Sequence, residues 1–198
     1  HRVCATKDYT SGASTVDPAE VAKFGQLSSR WWQPDGPMAG LHHMQPTRMA
    51  YIKHVLLSQN QHRTHSTDPS NTLAGLRVLD VGCGCGDILN MLVMELRNQR
   101  AAINPGQDSD STEATTKLFG VDAAETMLAH ARKLVPSATF MVGDATSLDF
   151  ADSSIGGIIC TFMTHHLADD EVEAVVSEFA RVAADGCPVY YCYWHGTG

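Results

Sequence analysis

The chain has 198 residues and a mass of 21.4 kDa, room for one domain of ordinary size. Its 43% hydrophobic and 18% charged content excludes wholesale disorder, and no apolar run reaches the length of a membrane-crossing helix. With 14 Lys and Arg against 22 Asp and Glu, the net charge of -8 excludes a nucleic-acid binder led by a basic surface.

The N-terminal segment is helical by pattern. Asp17 reads as an N-cap, Pro18 as the first helical residue, and Glu20 three positions on as the partner of a capping box. Val21, Phe24 and Leu27 follow at helical spacing, and the helix is expected to run to Trp31-Trp32. Pro34 to Pro37 reads as a turn. A second helix is expected from Pro46 to Leu57, with Met49, Ile52 and Leu56 on its apolar edge, and Gln59 to Thr72 reads as a polar linker. Residues 16–60 thus form a helical lid ahead of a core that spans 75–198.

From Arg77 the pattern changes to strands alternating with helices. Arg77 to Val81 is a short apolar strand that stops at Gly82-Cys83-Gly84-Cys85-Gly86, and a helix follows from Asp87 to Arg97. Residues 98–116 are polar and read as a loop insertion. Strands are expected at Lys117 to Val121, Thr139 to Val142, Ile155 to Phe162 and Val189 to Trp194. Helices are expected at Ala124 to Leu134 and Asp169 to Ala183. This alternation implies an α/β fold with a Rossmann-like, doubly wound parallel sheet.

The six cysteines show no Cys-x-x-Cys spacing and read as packed, reduced thiols. The pairs His42-His43 and His165-His166 stand out, although adjacent residues point apart and rarely share a metal.

The glycine loop carries the sharpest chemistry. Asp80 closes a strand, and Gly82-x-Gly84-x-Gly86 places bare backbone where a ligand can approach closely. The third glycine of a dinucleotide loop, G-x-G-x-x-G, would fall at Asp87 instead. The pattern D-x-G-x-G-x-G suits S-adenosylmethionine, which has no pyrophosphate and tolerates an acid at the helix start. Asp122 ends the next strand, where an acid accepts both hydroxyls of a ribose. It lies 42 positions beyond Asp80 rather than the ~20 of the dinucleotide motif, a surplus that the 98–116 insertion accounts for. Asp144, in Gly143-Asp144-Ala145 after the third strand, is placed to accept an adenine amino group. Asp80, Gly82, Gly84, Asp122 and Asp144 are therefore candidate cofactor residues.

Asp17-Pro-Ala-Glu-Val-Ala-Lys-Phe24, Trp31-Trp32, Asp35-Gly-Pro37, Leu41-His42, Pro46-x-Arg48 and Tyr51-Ile52, followed by the glycine loop, resemble the ubiquinone-biosynthesis O-methyltransferases. That family includes bacterial enzymes and the mitochondrial polyprenyldihydroxybenzoate methyltransferase. The resemblance covers residues 16–193 and implies a class I methyltransferase fold, S-adenosylmethionine as cofactor, and methylation of a catechol hydroxyl on a polyprenyl dihydroxybenzoate or demethylubiquinol. By the family's motif, Arg48 holds the cofactor carboxylate, Gly82 lines the cofactor, Asp122 binds its ribose, and Thr161 makes a backbone contact after the fourth strand. The resemblance also implies a prenylated catechol substrate, membership of a ubiquinone-biosynthesis complex and peripheral membrane contact. It places the protein on the matrix side of the mitochondrial inner membrane, or in a bacterial cytoplasm.

Three departures qualify the expectation. The family's metal set resembles C-x-E-x-x-E-H and is read as binding Mg. Here the stretch is Cys160-Thr-Phe162-Met-Thr-His165-His166, so Phe162 and His165 stand at the glutamate positions and only His166 matches. The sequence leaves Mg open, with His166 its one retained ligand, and makes His166 the candidate base, since imidazole titrates near neutrality. His43 stands where the family has Arg. Finally, the chain opens at His1 with no signal or transit pattern and closes at Gly198, where the family continues through two more strands. A partial or altered gene product is expected, with Val189 to Trp194 as an uncovered aromatic edge. Two rival readings stand beside this one: another small-molecule methyltransferase, acting on a different catechol or an amine, and a degenerate member that binds cofactor with little turnover.

Overall fold

The computed structural model describes residues 15–33, 35–64, 73, 75–103 and 116–193. In chain order these form α1 (Pro18–Ser28), α2 (Ala39–Thr64), β1 (Arg77–Val81), α3 (Asp87–Ile103), β2 (Lys117–Asp122), α4 (Glu125–Leu134), β3 (Thr139–Val142) and β4 (Gly157–Thr161). A 3-10 turn (Thr164–His166), α5 (Asp169–Val182) and β5 (Val189–Cys192) follow. The strands make one parallel sheet in the order β3-β2-β1-β4-β5. The chain winds outward from β1 to β3, then returns to β4 on the other side of β1. Ligands of such sheets bind beyond the carboxyl ends of the strands, where the order reverses.

Both faces of the sheet are covered, as its unbroken apolar strands require. Along β1, Val78 joins a core with Ile52 and Leu56 of α2 and Leu89 and Leu92 of α3. Its neighbours Leu79 and Val81 face the other way, toward Val175, Phe179 and Val182 of α5. The last turn of α5 is fixed by Arg181, which donates to the Phe150 and Leu148 carbonyls and pairs with Glu178 and Asp152. α1 belongs to a third cluster, in which Val21 and Phe24 pack with Trp31, Cys85, Ala124 and Met127.

Several expected boundaries move. Asp17 caps α1 by accepting the Ala19 N–H at 2.8 Å, but the helix ends at Ser28 and leaves both tryptophans in a turn. Glu20 does not close a capping box; its carboxylate pairs with Lys23 and His166. α2 begins at Ala39, seven residues before Pro46, which lies inside the helix. Proline at that point forfeits one backbone bond, yet Met49, Ile52 and Leu56 are buried on the sheet, and this packing holds the helix together. The proposed linker loses residues 59–64 to α2, and residues 65–72 lie outside the described residues. The proposed insertion loses residues 98–103 to α3, and residues 104–115 lie outside the described residues. β4 is shorter than expected because Ile155 makes only an isolated parallel bridge, to Ala183. β5 pairs with β4 alone among the described residues and exposes Val189, Tyr191 and Tyr193, while Trp194 is not among them.

Candidate cofactor and methyl-transfer site

The carboxyl ends of β1, β2, β3 and β4 open into one cavity of about 910 Å3, roofed by α1 and the start of α2. Asp80, Gly82, Gly84, Asp122, Asp144, Thr161, Arg48 and His166 all line it. The candidate residues, drawn from positions 48 to 166, are thus brought together by the switch in strand order.

The glycine loop takes the shape that only glycine adopts at low cost. Gly82, Gly84 and Gly86 have φ of +74, +55 and +83°. A Cβ on Gly82 would also lie 2.6 Å from the Met163 side chain. The loop is tied to β2 by Asp122, which accepts the Gly84 N–H at 2.8 Å and the Ala124 N–H at 2.9 Å. Burial raises the Asp122 pKa, and the N–H groups of Ala124, Gly84 and Ala123 counter that rise. With about four acceptor sites on the carboxylate and three N–H donors on it, a site is left for a hydroxyl donor.

Asp80 differs. It is 1% exposed, and neither carboxylate oxygen has a hydrogen-bond partner among the described residues. Burial, reinforced by Asp122 and Asp87 and opposed by Arg48, pushes its pKa up to about 8. Arg48 is similarly incomplete. One guanidinium nitrogen donates to the Leu41 carbonyl at 3.3 Å, and the group lies 5.0 Å from the centre of the Phe162 ring. Its Nε has no partner among the described residues, and burial lowers its pKa against the pull of Cys192, Tyr190, Asp87 and Asp80. A buried carboxyl and a buried guanidinium thus share the cavity, each short of partners among the described residues.

Asp144 is occupied by the chain itself. It accepts from the Thr15 N–H and hydroxyl and from the Thr146 N–H and hydroxyl, at 2.7–3.0 Å. Burial would raise its pKa, but these bonds outweigh it and hold the carboxyl below its usual range. An adenine amino group there would have to share the carboxylate with Thr15. Thr161 closes β4. Phe162 after it takes φ of +54°, rare for an aromatic residue, while its N–H donates to the Cys192 carbonyl at 2.7 Å. Backbone strain of this kind concentrates at functional sites.

His166 stands at the cavity wall with Nδ1 3.1 Å from Glu20 Oε2, its ring edge-on to Phe24 and 3.9 Å from the His165 ring. Burial lowers its pKa, and so does His165, while Glu20 works in the opposite direction. No group of three His, Cys, Asp or Glu among the described residues could hold a metal ion. The Phe162 ring lies against Arg48 instead of presenting a carboxylate, so the residues present do not fit Mg. Burial raises the Cys83 thiol well above its ordinary pKa and pushes Cys85 up to about 12, which disfavours their thiolates.

Five contacts that build the roof leave little mark in the sequence. Trp31 Nε1–H and Gln45 Nε2–H both donate to Asp87 Oδ2 at 2.8 Å, and His42 Nδ1 lies 3.5 Å from the same oxygen. Thr15 reaches Asp144, and Glu20 reaches His166. The tryptophan doublet was the one visible signal, but a doublet does not say which ring faces inward. Trp31 is 7% exposed and Trp32 47%.

The methyltransferase domain family Methyltransf_25 matches residues 105–186. The ubiquinone biosynthesis O-methyltransferase of Rhodopseudomonas palustris (strain BisA53) is 50% identical over 74 residues, which are 37% of this chain and 28% of that protein. The protein of the same name from Bradyrhizobium diazoefficiens is 43% identical over 96 residues, 48% of this chain and 36% of that protein. The matched segments thus span about a third of these relatives' length. A solved SAM dependent methyltransferase from Aquifex aeolicus is similar at 18% identity and a TM-score of 0.45, over 85% of this chain and 68% of that one. The parallel sheet in the order β3-β2-β1-β4-β5 and the matched methyltransferase domain make this a class I methyltransferase fold.

Proposed function

We propose that the chain binds S-adenosylmethionine in the 910 Å3 cavity and transfers its methyl group to a catechol hydroxyl of a polyprenyl dihydroxybenzoate or demethylubiquinol. The observation that carries the reading is the buried carboxyl of Asp80, with no partner among the described residues, in the same cavity as the half-partnered guanidinium of Arg48. Together they suit the ammonium and carboxylate of the cofactor's amino-acid end, while Asp122 suits its ribose hydroxyls. When bound, the cofactor supplies an electrophilic methyl group on a sulfonium. The chain's own residues position the partners and exclude water: Gly82 lets the ligand approach the backbone, and α1 and Trp31 roof the cavity. His166 takes the proton of the attacking hydroxyl. The names of the similar proteins and the apolar Val21, Phe24, Leu41 and Met44 along the cavity support a prenylated catechol as substrate. A ubiquinone-biosynthesis complex, peripheral membrane contact, and a place on the matrix side or in a bacterial cytoplasm follow from that substrate as further proposals.

The test is transfer of a labelled methyl group from S-adenosylmethionine to a short-prenyl catechol by residues 1–198. Product that depends on His166 is expected, at a rate unchanged by chelation of Mg because the described residues supply no site for it. One observation favours a second reading, cofactor binding with little turnover: Phe162 fills a family glutamate position and packs on Arg48. Tight binding of S-adenosylhomocysteine without product would select it.

A further inference from the structure

We infer that Glu20, on the roof helix α1, is a positioning residue that fixes the tautomer of His166 and so makes its Nε2 the proton acceptor. The inference rests on the methyl-transfer reading and adds to it a role that no motif assigns. Glu20 lies 146 positions before His166 in the chain, outside the stretch after β4 from which the candidate base was read.

The geometry has three parts. Glu20 Oε2 is 3.1 Å from His166 Nδ1, so the ring nitrogen beside the acid carries the proton and donates it to the carboxylate. Glu20 is itself held: Lys23 Nζ donates to Oε1 at 3.2 Å and to Oε2 at 3.3 Å. The imidazole plane is set by Phe24, one helical turn along α1, whose ring meets it edge-on with centroids 5.0 Å apart. Base, orienting acid and a third group that steadies the acid form the arrangement by which a histidine is prepared to take a proton. Both Glu20 and His166 line the cavity, so the ring is presented to the space in which a substrate hydroxyl would lie.

The proton step balances without any further reagent. The O–H bond of the catechol breaks, its proton forms a bond with Nε2, and the electron pair stays on the phenolate oxygen that attacks the methyl group. Nδ1–H stays donated to Glu20, whose negative charge favours the imidazolium that results. The proton then leaves Nε2 to water. The acid is carried by α1 and the base by the turn after β4.

The test uses residues 1–198 with Glu20→Ala and Glu20→Gln. Glu20 is partly exposed on α1, so neither change leaves a buried void. The nitrogen-15 shifts of His166 are read without substrate. The wild type is expected to show the Nδ1–H tautomer and Glu20→Ala to lose it. Glu20→Gln should keep it, since an amide oxygen still accepts the bond. In the methyl-transfer assay, kcat is expected to fall ~10-fold or more in Glu20→Ala, part of the ~10²–10⁴ that a positioned base contributes, and less in Glu20→Gln. KM and the affinity for S-adenosylhomocysteine should change little. The tautomer readout needs no turnover. A shift pattern lost in Glu20→Ala and kept in Glu20→Gln therefore upholds the positioning role even in a chain that fails to methylate a catechol. A wild-type ring protonated on Nε2, or a kcat in Glu20→Ala equal to that of the wild type, overturns it.

Discussion

The indole of Trp31 donates its N–H to Asp87 at 2.8 Å, a bond that joins the roof to the first residue of the helix after the glycine loop. Both residues are buried, so the bond has no competing water, and burial raises the Asp87 pKa against the pull of Trp31, Gln45, His42 and Arg48. A carboxylate at the positive end of a helix is favourably placed, and here it also serves as the anchor for the roof.

Replacing Trp31 with Phe keeps an aromatic ring in the cluster with Met127 and Cys85 but leaves Asp87 one donor short. Loss of a buried partner costs about 1–3 kcal/mol. Thermal melts of Trp31→Phe are expected to show that loss together with weaker S-adenosylhomocysteine binding, because the roof is released from the loop. Equal melting temperatures would mean that Gln45 and His42 anchor Asp87 without the indole.

Asp80 gives the stability a pH dependence of definite sign. In the unfolded chain its carboxyl ionises near ~4; in the fold, burial holds the proton on to about pH 8. Between those values the native state binds a proton that the unfolded state does not, so this group makes stability fall as pH rises. Asp80→Asn removes the titration. Its melting temperature relative to wild type is expected to rise steadily from pH 5 to pH 8, while cofactor affinity drops. A difference in melting temperature that is flat across that range would show that Asp80 is ionised in the fold.

How far the sequence could be read follows from the kind of signal each feature leaves. Asp80, Gly82 and Asp122 were legible because β1 and β2 are short, buried runs that end abruptly, and a strand's end in a parallel sheet points at the ligand crevice. Asp17 was legible because capping is local. Glu20 misled: its spacing from the cap fits a capping box, but the ion pair with His166 is a tertiary contact that local spacing cannot register. Pro46 misled in the same way. Proline normally starts a helix, and only the burial of Met49, Ile52 and Leu56 on the sheet shows why α2 passes through it. Asp144 was recognised as a strand-end acid, yet nothing near it in sequence announces that Thr15 would occupy it.

Gly82→Ala tests the loop. The substitution puts a Cβ 2.6 Å from Met163 and asks alanine to hold φ of +74°, which costs about 1–2 kcal/mol before the clash is counted. The variant is expected to melt at lower temperature and to lose cofactor affinity through displacement of Met163. A variant with wild-type stability would mean that the loop does not hold this backbone conformation.

The crevice formed by the glycine loop and Asp122 is expected to bind the cofactor. Calorimetric titration of residues 1–198 with S-adenosylhomocysteine, alongside Asp122→Ala, tests it most directly. Asp122 is expected to accept the ribose hydroxyls while keeping the Gly84 and Ala124 N–H groups in place. Charge-assisted bonds of this kind contribute roughly 1.5–3 kcal/mol, so the affinity should fall roughly tenfold or more in the variant. Saturable binding at one site in the wild type, weakened to that extent by Asp122→Ala, is the predicted result; no saturable heat in the wild type, or an affinity unchanged in the variant, would contradict it.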